Sequence, residues 1–308
     1  MKAAVLLALA LAAATLLYAA EAPPAANRFA MQIAPAERFE IKGMLVERHG
    51  QGGRPLVLIP GLASGPWAWQ DLIRRFAGER AVYVVTLPGF DGRPAPAGPA
   101  LESARAALKE LVTARRLDKP VLVGHSLGGA LSFAVAQDLG ALVGGVISLD
   151  GLPVFPGTEA LAPEQRPLMA AGMRRRMDAS PLEAYAAQQR QYMRSQGLVD
   201  MGKADELAAL ALRSDREAVG AYMADLLAAD LRPGLPKITA PVLVLVPYFE
   251  PDAGQDEVTA MMKVEHYRSL MAGTPALEIA TIPNARHFAM FDQPELVADA
   301  VRRFLNRL

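Results

Sequence analysis

The sequence predicts an α/β fold, a mostly parallel sheet flanked by helices, with a helical cap inserted late in the sheet. Three observations predict it. Short uninterrupted apolar runs at 56–59, 82–87 and 121–123 alternate with longer helical patterns, as strands buried on both faces require. Strand signal then vanishes between about 153 and 236 and resumes at 241–246. Pro60, Pro88-Gly89, Gly124 and Asp150 follow successive runs, at the carboxyl edge where open parallel sheets bind ligands.

Taken in order, residues 1–22 read as a signal peptide or N-terminal anchor, because Lys2 precedes an uncharged stretch, almost wholly Ala, Leu and Val, from Ala3 to Ala20. Tyr18 fills the small-residue position for a cut after Ala20, and Pro23 would follow a cut after Ala22, so cleavage and retention both stay open. Either way the chain is expected to be exported, periplasmic or secreted, and membrane-anchored only through that segment if it is retained. Residues 23–28 form a Pro/Ala linker, and 29–308 the main domain. Stretches 29–33 and 39–47 are expected as paired strands turning at 49–53. Helices are expected at 67–77, 101–116 and 127–139, and a strand at 143–149. The cap, about 153–236, should carry helices at 167–177, 181–196, 204–211 and 217–227. Met169, Met173 and Met177 share one helix face, as do Tyr185, Gln189 and Met193, suiting either packing on the main domain or the wall of a pocket. A strand at 277–282 and helices at 256–271 and 295–305 complete the chain.

Composition narrows the classes. At 308 residues and 52% hydrophobic content, the chain can bury a large core. Basic and acidic residues balance at 32 each with no long run of one sign, which argues against a nucleic-acid partner. Arg174, Arg175 and Arg176 read as a solvated helix face. Without cysteine there is neither disulfide nor thiolate nucleophile, so an exported chain would rest on its core alone.

The chemistry concentrates at Gly124-His125-Ser126-Leu127-Gly128-Gly129, between the strand at 121–123 and an alanine-rich helix. A strained strand-to-helix turn lifts a serine hydroxyl off the sheet, and the glycines two before and two after leave room for the neighbouring backbone. Ser126 is therefore the candidate nucleophile, and the Leu127 N–H at the helix start a donor for an oxyanion.

With Ile59-Pro60-Gly61-Leu62 after the earlier strand at 56–59 and Arg286-His287-Phe288 near the end, the chain from about 54 to 308 resembles an α/β-hydrolase. The resemblance implies a second oxyanion donor at Leu62, the residue after the early glycine, and a general base at His287. Pro60 stands where the family commonly has histidine, which leaves the Leu62 backbone donor intact. Position agrees on the base: His49 lies in the N-terminal region, His125 is the elbow residue, and His266 sits within a helix. The acid has three candidates. Asp150 ends a strand at a position some relatives use, while Glu250 replaces the aspartate of the usual Gly-x-x-Asp-Pro turn, with Asp252 two residues on. Asp150 is the preferred choice; it could alternatively cap its own turn. Asp292 is expected to cap the last helix. Trp67 and Trp69 fit either an acyl pocket or packing of the first helix, and 87–92 reads as a structural turn.

The expected activity is that of a serine hydrolase cleaving a carboxylic ester or similar acyl compound, with an apolar small-molecule substrate, no cofactor and no metal. Other bonds (thioester, lactone, amide or carbon–carbon) and a non-catalytic ligand-binding protein on the same scaffold are the alternatives.

Overall fold

A computed structural model describes residues 27–253 and 258–308. The expected leader and most of the linker lie outside the described residues. Eight strands form one sheet in the order β1-β2-β4-β3-β5-β6-β7-β8. They are β1 Glu37–Ile41, β2 Met44–His49, β3 Leu56–Ile59, β4 Val82–Thr86, β5 Val121–His125, β6 Gly145–Leu149, β7 Val242–Tyr248 and β8 Leu277–Pro283. From β4 to β8 every pairing is parallel, whereas β1–β2 and β2–β4 are antiparallel, so that β2 alone runs against the other strands. The fold class is as expected. Strands β3 to β6 are buried along their whole length because helices cover both faces.

The N-terminal region differs from expectation. The hairpin folds inside the stretch 39–47, with Lys42 and Gly43 at φ 48° and 77°. Two successive left-handed residues make the tight turn whose twist matches that of the strands. Residues 29–33 form no strand, because the buried side chain of Gln70 takes their backbone bonds. Its amide donates to the carbonyls of Phe29 and Ala30 at 2.9 and 3.1 Å, and its oxygen accepts the Gln32 N–H at 3.0 Å.

Helices α1 Gln70–Phe76, α2 Ala100–Ala114 and α3 Leu127–Leu139 follow β3, β4 and β5. Nearly all of α3 is buried, and its small residues let it lie close to the sheet: a Cβ on Gly129 would stand 2.2 Å from Ser148 Oγ. Between β6 and β7 come four helices, α4 Gln165–Ala179, α5 Leu182–Tyr192, α6 Met201–Ala211 and α7 Arg216–Ala228. Aspartates at 200 and 215 start α6 and α7 by accepting the N–H groups of Lys203 and Ala218. Residues Met193–Gly197 form a π-helical turn after α5. The buried Arg166 of α4 clips this insertion together through the Thr158 carbonyl at 2.8 Å and Asp230 at 3.4 Å.

After β7 come α8 Glu250–Ala253 and α9 Ala260–Leu270, and after β8 come α10 Ala289–Asp292 and α11 Pro294–Leu305. Of the helix expected at 256–271, residues 256 and 257 lie outside the described residues, and α9 begins after Thr259, which caps it by accepting the Met262 N–H. α11 buries Val297, Val301 and Phe304, an apolar stripe at helical spacing.

Candidate active site

β5 and β6 are in register with His125 opposite Leu149, so the next residues, Ser126 and Asp150, leave the sheet side by side. Ser126 has φ 51° and ψ −117°, a conformation that costs a residue with a Cβ about 1–3 kcal/mol. Its surroundings enforce it. The Ser126 N–H donates to the Leu149 carbonyl at 2.9 Å, while its carbonyl accepts from Gly129 at 2.9 Å and Ala130 at 3.2 Å. A Cβ on Gly124 would lie 2.0 Å from the Gly128 oxygen, and one on Gly128 would lie 2.1 Å from the Ile59 oxygen. Both glycines are therefore needed for the close approach of strand, turn and helix.

Gly61 brings the β3 loop onto the same turn: a Cβ there would meet His125 Nδ1 at 2.5 Å and Ser126 Cβ at 3.3 Å. Leu62 and Leu127 line one cavity of about 1100 Å³ together with Ser126, Asp150 and His287. The Leu127 N–H is the first of α3 and has no intrahelical acceptor, so it is available to a developing negative charge.

His287 lies in the loop after β8, and its Nδ1 is 2.5 Å from Asp150 Oδ2. The other carboxylate oxygen accepts the hydroxyl of Tyr267, a buried residue of α9. Burial pushes the Asp150 pKa up. The bonds from His287 and Tyr267 and the positive charge of Lys263 outweigh it, holding the carboxyl at about 2. Asp150 is thus ionised at neutral pH, and its acceptor oxygen makes Nδ1 the protonated nitrogen, which leaves Nε2 to exchange a proton.

Three backbone contacts fix the imidazole from behind. The His287 N–H donates to the Gln196 carbonyl at 3.1 Å, and the Phe288 N–H donates to Gly197 at 2.9 Å. His125 Nε2 stands 2.9 Å from the His287 carbonyl oxygen. Because a carbonyl only accepts, His125 Nε2 carries a proton. Burial presses the His125 pKa down to about 3, so the ring is neutral and Nδ1 is left without a partner. Its ring packs against His287 and Phe288, with centroids 4.5 and 4.6 Å apart. Sequence reasoning discarded His125 as a base and missed this supporting role; Tyr267 it missed entirely. Neither had a local signal, since each acts on a residue more than 100 positions away.

The remaining candidates lie elsewhere. Glu250 is exposed at the start of α8. Asp252 borders the cavity but is held by Arg286 through two bonds of 2.6 Å. Asp292 does not cap α11, whose cap residue is Gln293; its carboxylate accepts the N–H groups of Arg286 and Val199 at 2.9 and 3.1 Å. It thereby ties the histidine loop to the insertion. Trp67 and Trp69 are buried in the core, where Trp67 packs beside Phe291. Met173, Met177, Gln189 and Met193 line the cavity, whereas Met169 is exposed and Tyr185 is buried. Among the described residues no group of three or more His, Cys, Asp or Glu could hold a metal ion.

The profile of the Alpha/beta hydrolase family matches residues 56–300. Among curated proteins, the chain is similar to the 1-acylglycerol-3-phosphate O-acyltransferase ABHD5 of Rattus norvegicus, 33% identical over 119 residues, covering 37% of this chain and 34% of that protein. It is 37% identical to the probable esterase PIR7A of Oryza sativa subsp. indica over 92 residues, 28% of this chain and 34% of the relative. The match to the biotin biosynthesis bifunctional protein BioHC of Cellvibrio japonicus is longer, 29% identical over 259 residues, 82% of this chain and 48% of the relative. The aligned stretches thus span about a third to a half of the length of these curated relatives. Among solved structures, a thermophilic esterase from Thermogutta terrifontis superposes with a TM-score of 0.68 at 25% identity, covering 88% of this chain and 99% of the other. An esterase from Exiguobacterium antarcticum superposes with a TM-score of 0.70 over 89% of this chain and 100% of the other, at 16% identity, which speaks for the fold alone. With the eight-stranded sheet, the serine turn at its edge and a family match over most of its length, the chain belongs to the Alpha/beta hydrolase family.

Proposed function

We propose that the protein is a serine hydrolase that cleaves a carboxylic ester or similar acyl substrate through an acyl-enzyme on Ser126. One observation carries the reading: a serine held at φ 51° shares a cavity with an imidazole whose Nδ1 is engaged by an ionised aspartate. In the first half-reaction Ser126 Oγ attacks the carbonyl carbon and its proton passes to His287 Nε2. Asp150 keeps the imidazole in the required tautomer and offsets the imidazolium charge. The N–H groups of Leu127 and Leu62 receive the oxyanion, and one such donor is worth roughly a hundred- to a thousandfold in rate. The C–O bond of the tetrahedral intermediate then breaks, and His287 hands its proton to the leaving oxygen. In the second half-reaction water, deprotonated by His287, attacks the acyl carbon and releases the acid, regenerating Ser126.

Esterases among the relatives and structural neighbours support the reading. The test is labelling with a serine-directed fluorophosphonate followed by peptide mapping. The reading expects a single adduct on Ser126, with activity lost in proportion; absence of labelling, or an adduct elsewhere, would contradict it.

Export of the chain is a further part of this proposal. Its support is Lys2 followed by the uncharged stretch from Ala3 to Ala20. No helix among the described residues is long and apolar enough to cross a membrane. Fractionation of cells producing the full chain tests it: the reading expects protein outside the cytoplasm, free or held by its N-terminus.

A further inference from the structure

The cavity has two unlike arms. One runs along α3, whose Leu127, Ala130, Leu131 and Ala134 all line it. Spaced i, i+3, i+4 and i+7, they form one stripe, about 10 Å long at the helical rise of about 1.5 Å per residue. Val219, Met223 and Leu226 of α7, at the same kind of spacing, line the cavity too, and Leu152 and Val154 add to its wall. This arm begins at the Leu127 N–H and is hydrocarbon throughout.

It ends near Glu102, Arg105 and Asp225. Those groups are already engaged: Arg105 makes bonds of 2.8 and 2.5 Å to Asp138 and lies 3.7 Å from Glu102, while Asp225 accepts the Leu101 N–H at 2.9 Å. The far end therefore offers no uncommitted charge to a ligand tail. The other arm lies on the His287 side, where Gln188, Gln189 and Gln196 carry polar side chains, and where Tyr248 and Lys263 donate to the Val258 and Pro247 carbonyls at 3.1 and 2.7 Å.

The chemistry orients a substrate between them. His287 must reach the leaving-group oxygen to protonate it, so the leaving group departs on the histidine side. The carbon chain attached to the carbonyl then points the other way. We infer that the α3 arm is an acyl channel, and that the substrates are esters of a straight acyl chain of about eight carbons. That length follows from about 10 Å of apolar wall and an advance of about 1.3 Å per carbon in an extended chain of C–C bonds near 1.5 Å. The inference rests on the acyl-enzyme reading above and adds direction and length. Each methylene buried in the channel is worth roughly fourfold in kcat/KM, and an acetyl group leaves the channel empty.

The test uses the full chain and two isomeric esters, methyl octanoate and heptyl acetate, which differ only in the side of the ester that carries the chain. The channel predicts at least a tenfold higher kcat/KM for methyl octanoate. Ala134→Phe on α3 should reduce that ratio at least tenfold, and Met223→Phe, at a less buried site on α7, should do so if the first variant fails to fold. Equal rates, a preference for heptyl acetate, or a ratio unmoved by either folded variant would overturn the channel while leaving the acyl-enzyme intact. Inertness on both esters with no fluorophosphonate adduct on Ser126 would remove the mechanism, and the channel with it.

Discussion

The two halves of the site are built in opposite ways. The half that carries the proposed nucleophile is local: Gly124 to Gly129 hold the strained serine, the close approach and the helix N-terminus within six consecutive residues. The base half is assembled from distant parts of the chain. His287 is held through Asp150 at the end of β6, His125 at the end of β5, and Gln196 in the insertion, and Tyr267 of α9 steadies the aspartate. The serine turn thus needs only the two neighbouring strand ends, through the Leu149 carbonyl and the Ile59 oxygen, whereas a correctly aimed imidazole needs most of the completed tertiary structure. Partial unfolding of the insertion should therefore disarm the base before it disturbs the serine turn.

The largest expected effect breaks the local half. Ser126→Ala should lower kcat by at least about a thousandfold, because in the proposed mechanism the serine, histidine and aspartate act as a unit. Ser126→Gly should be as inactive yet more stable, by about 1 kcal/mol in chemical denaturation, since glycine tolerates φ 51°. Inactivity with lowered stability would show that the turn is not under strain.

Next come the long-range supports. His125→Phe keeps a ring between His287 and Phe288 but leaves the His287 carbonyl unpaired, at a cost of about 1–3 kcal/mol. Calorimetry should register that loss, and kcat should fall severalfold. Tyr267→Phe removes one bond from Asp150 and should reduce kcat about three- to tenfold with little change in KM. An unchanged kcat would reduce Tyr267 to packing.

The pH dependence of stability is a smaller and separable effect. Asp150 is held at about 2 in the folded chain, below the ordinary aspartate value of 3.8. A depressed pKa stabilises the fold above the unfolded value, and that contribution, about 2 kcal/mol, is lost as pH falls from about 4 through about 2. Urea titrations across that window should show a shallower fall in Asp150→Asn than in the parent.

The same contrast sets how much was legible in the sequence. The glycine-flanked serine and the buried strands carry their signals in adjacent residues, and the structure has them within a residue or two of the expected bounds. The N-terminal hairpin was misplaced because Lys42 adopts a left-handed conformation that its residue type does not advertise, and because Gln70 takes the backbone bonds that residues 29–33 would have given a strand. The choice between Asp150 and Glu250 depends on where β8 delivers His287, and no spacing along the chain encodes that. The roles of His125, Tyr267 and Asp292 are invisible for the same reason: each joins segments that meet only in the folded protein.

The most direct measurement of the central claim is kcat/KM on a medium-chain ester for the parent, Asp150→Asn and Glu250→Gln, with folding checked by circular dichroism. The account predicts that Asp150→Asn loses about a hundred- to ten-thousandfold, as loss of the orienting carboxylate does in such sites, while Glu250→Gln stays within about twofold, as expected of an exposed carboxylate outside the site. A collapse in Glu250→Gln with near-normal Asp150→Asn would contradict it.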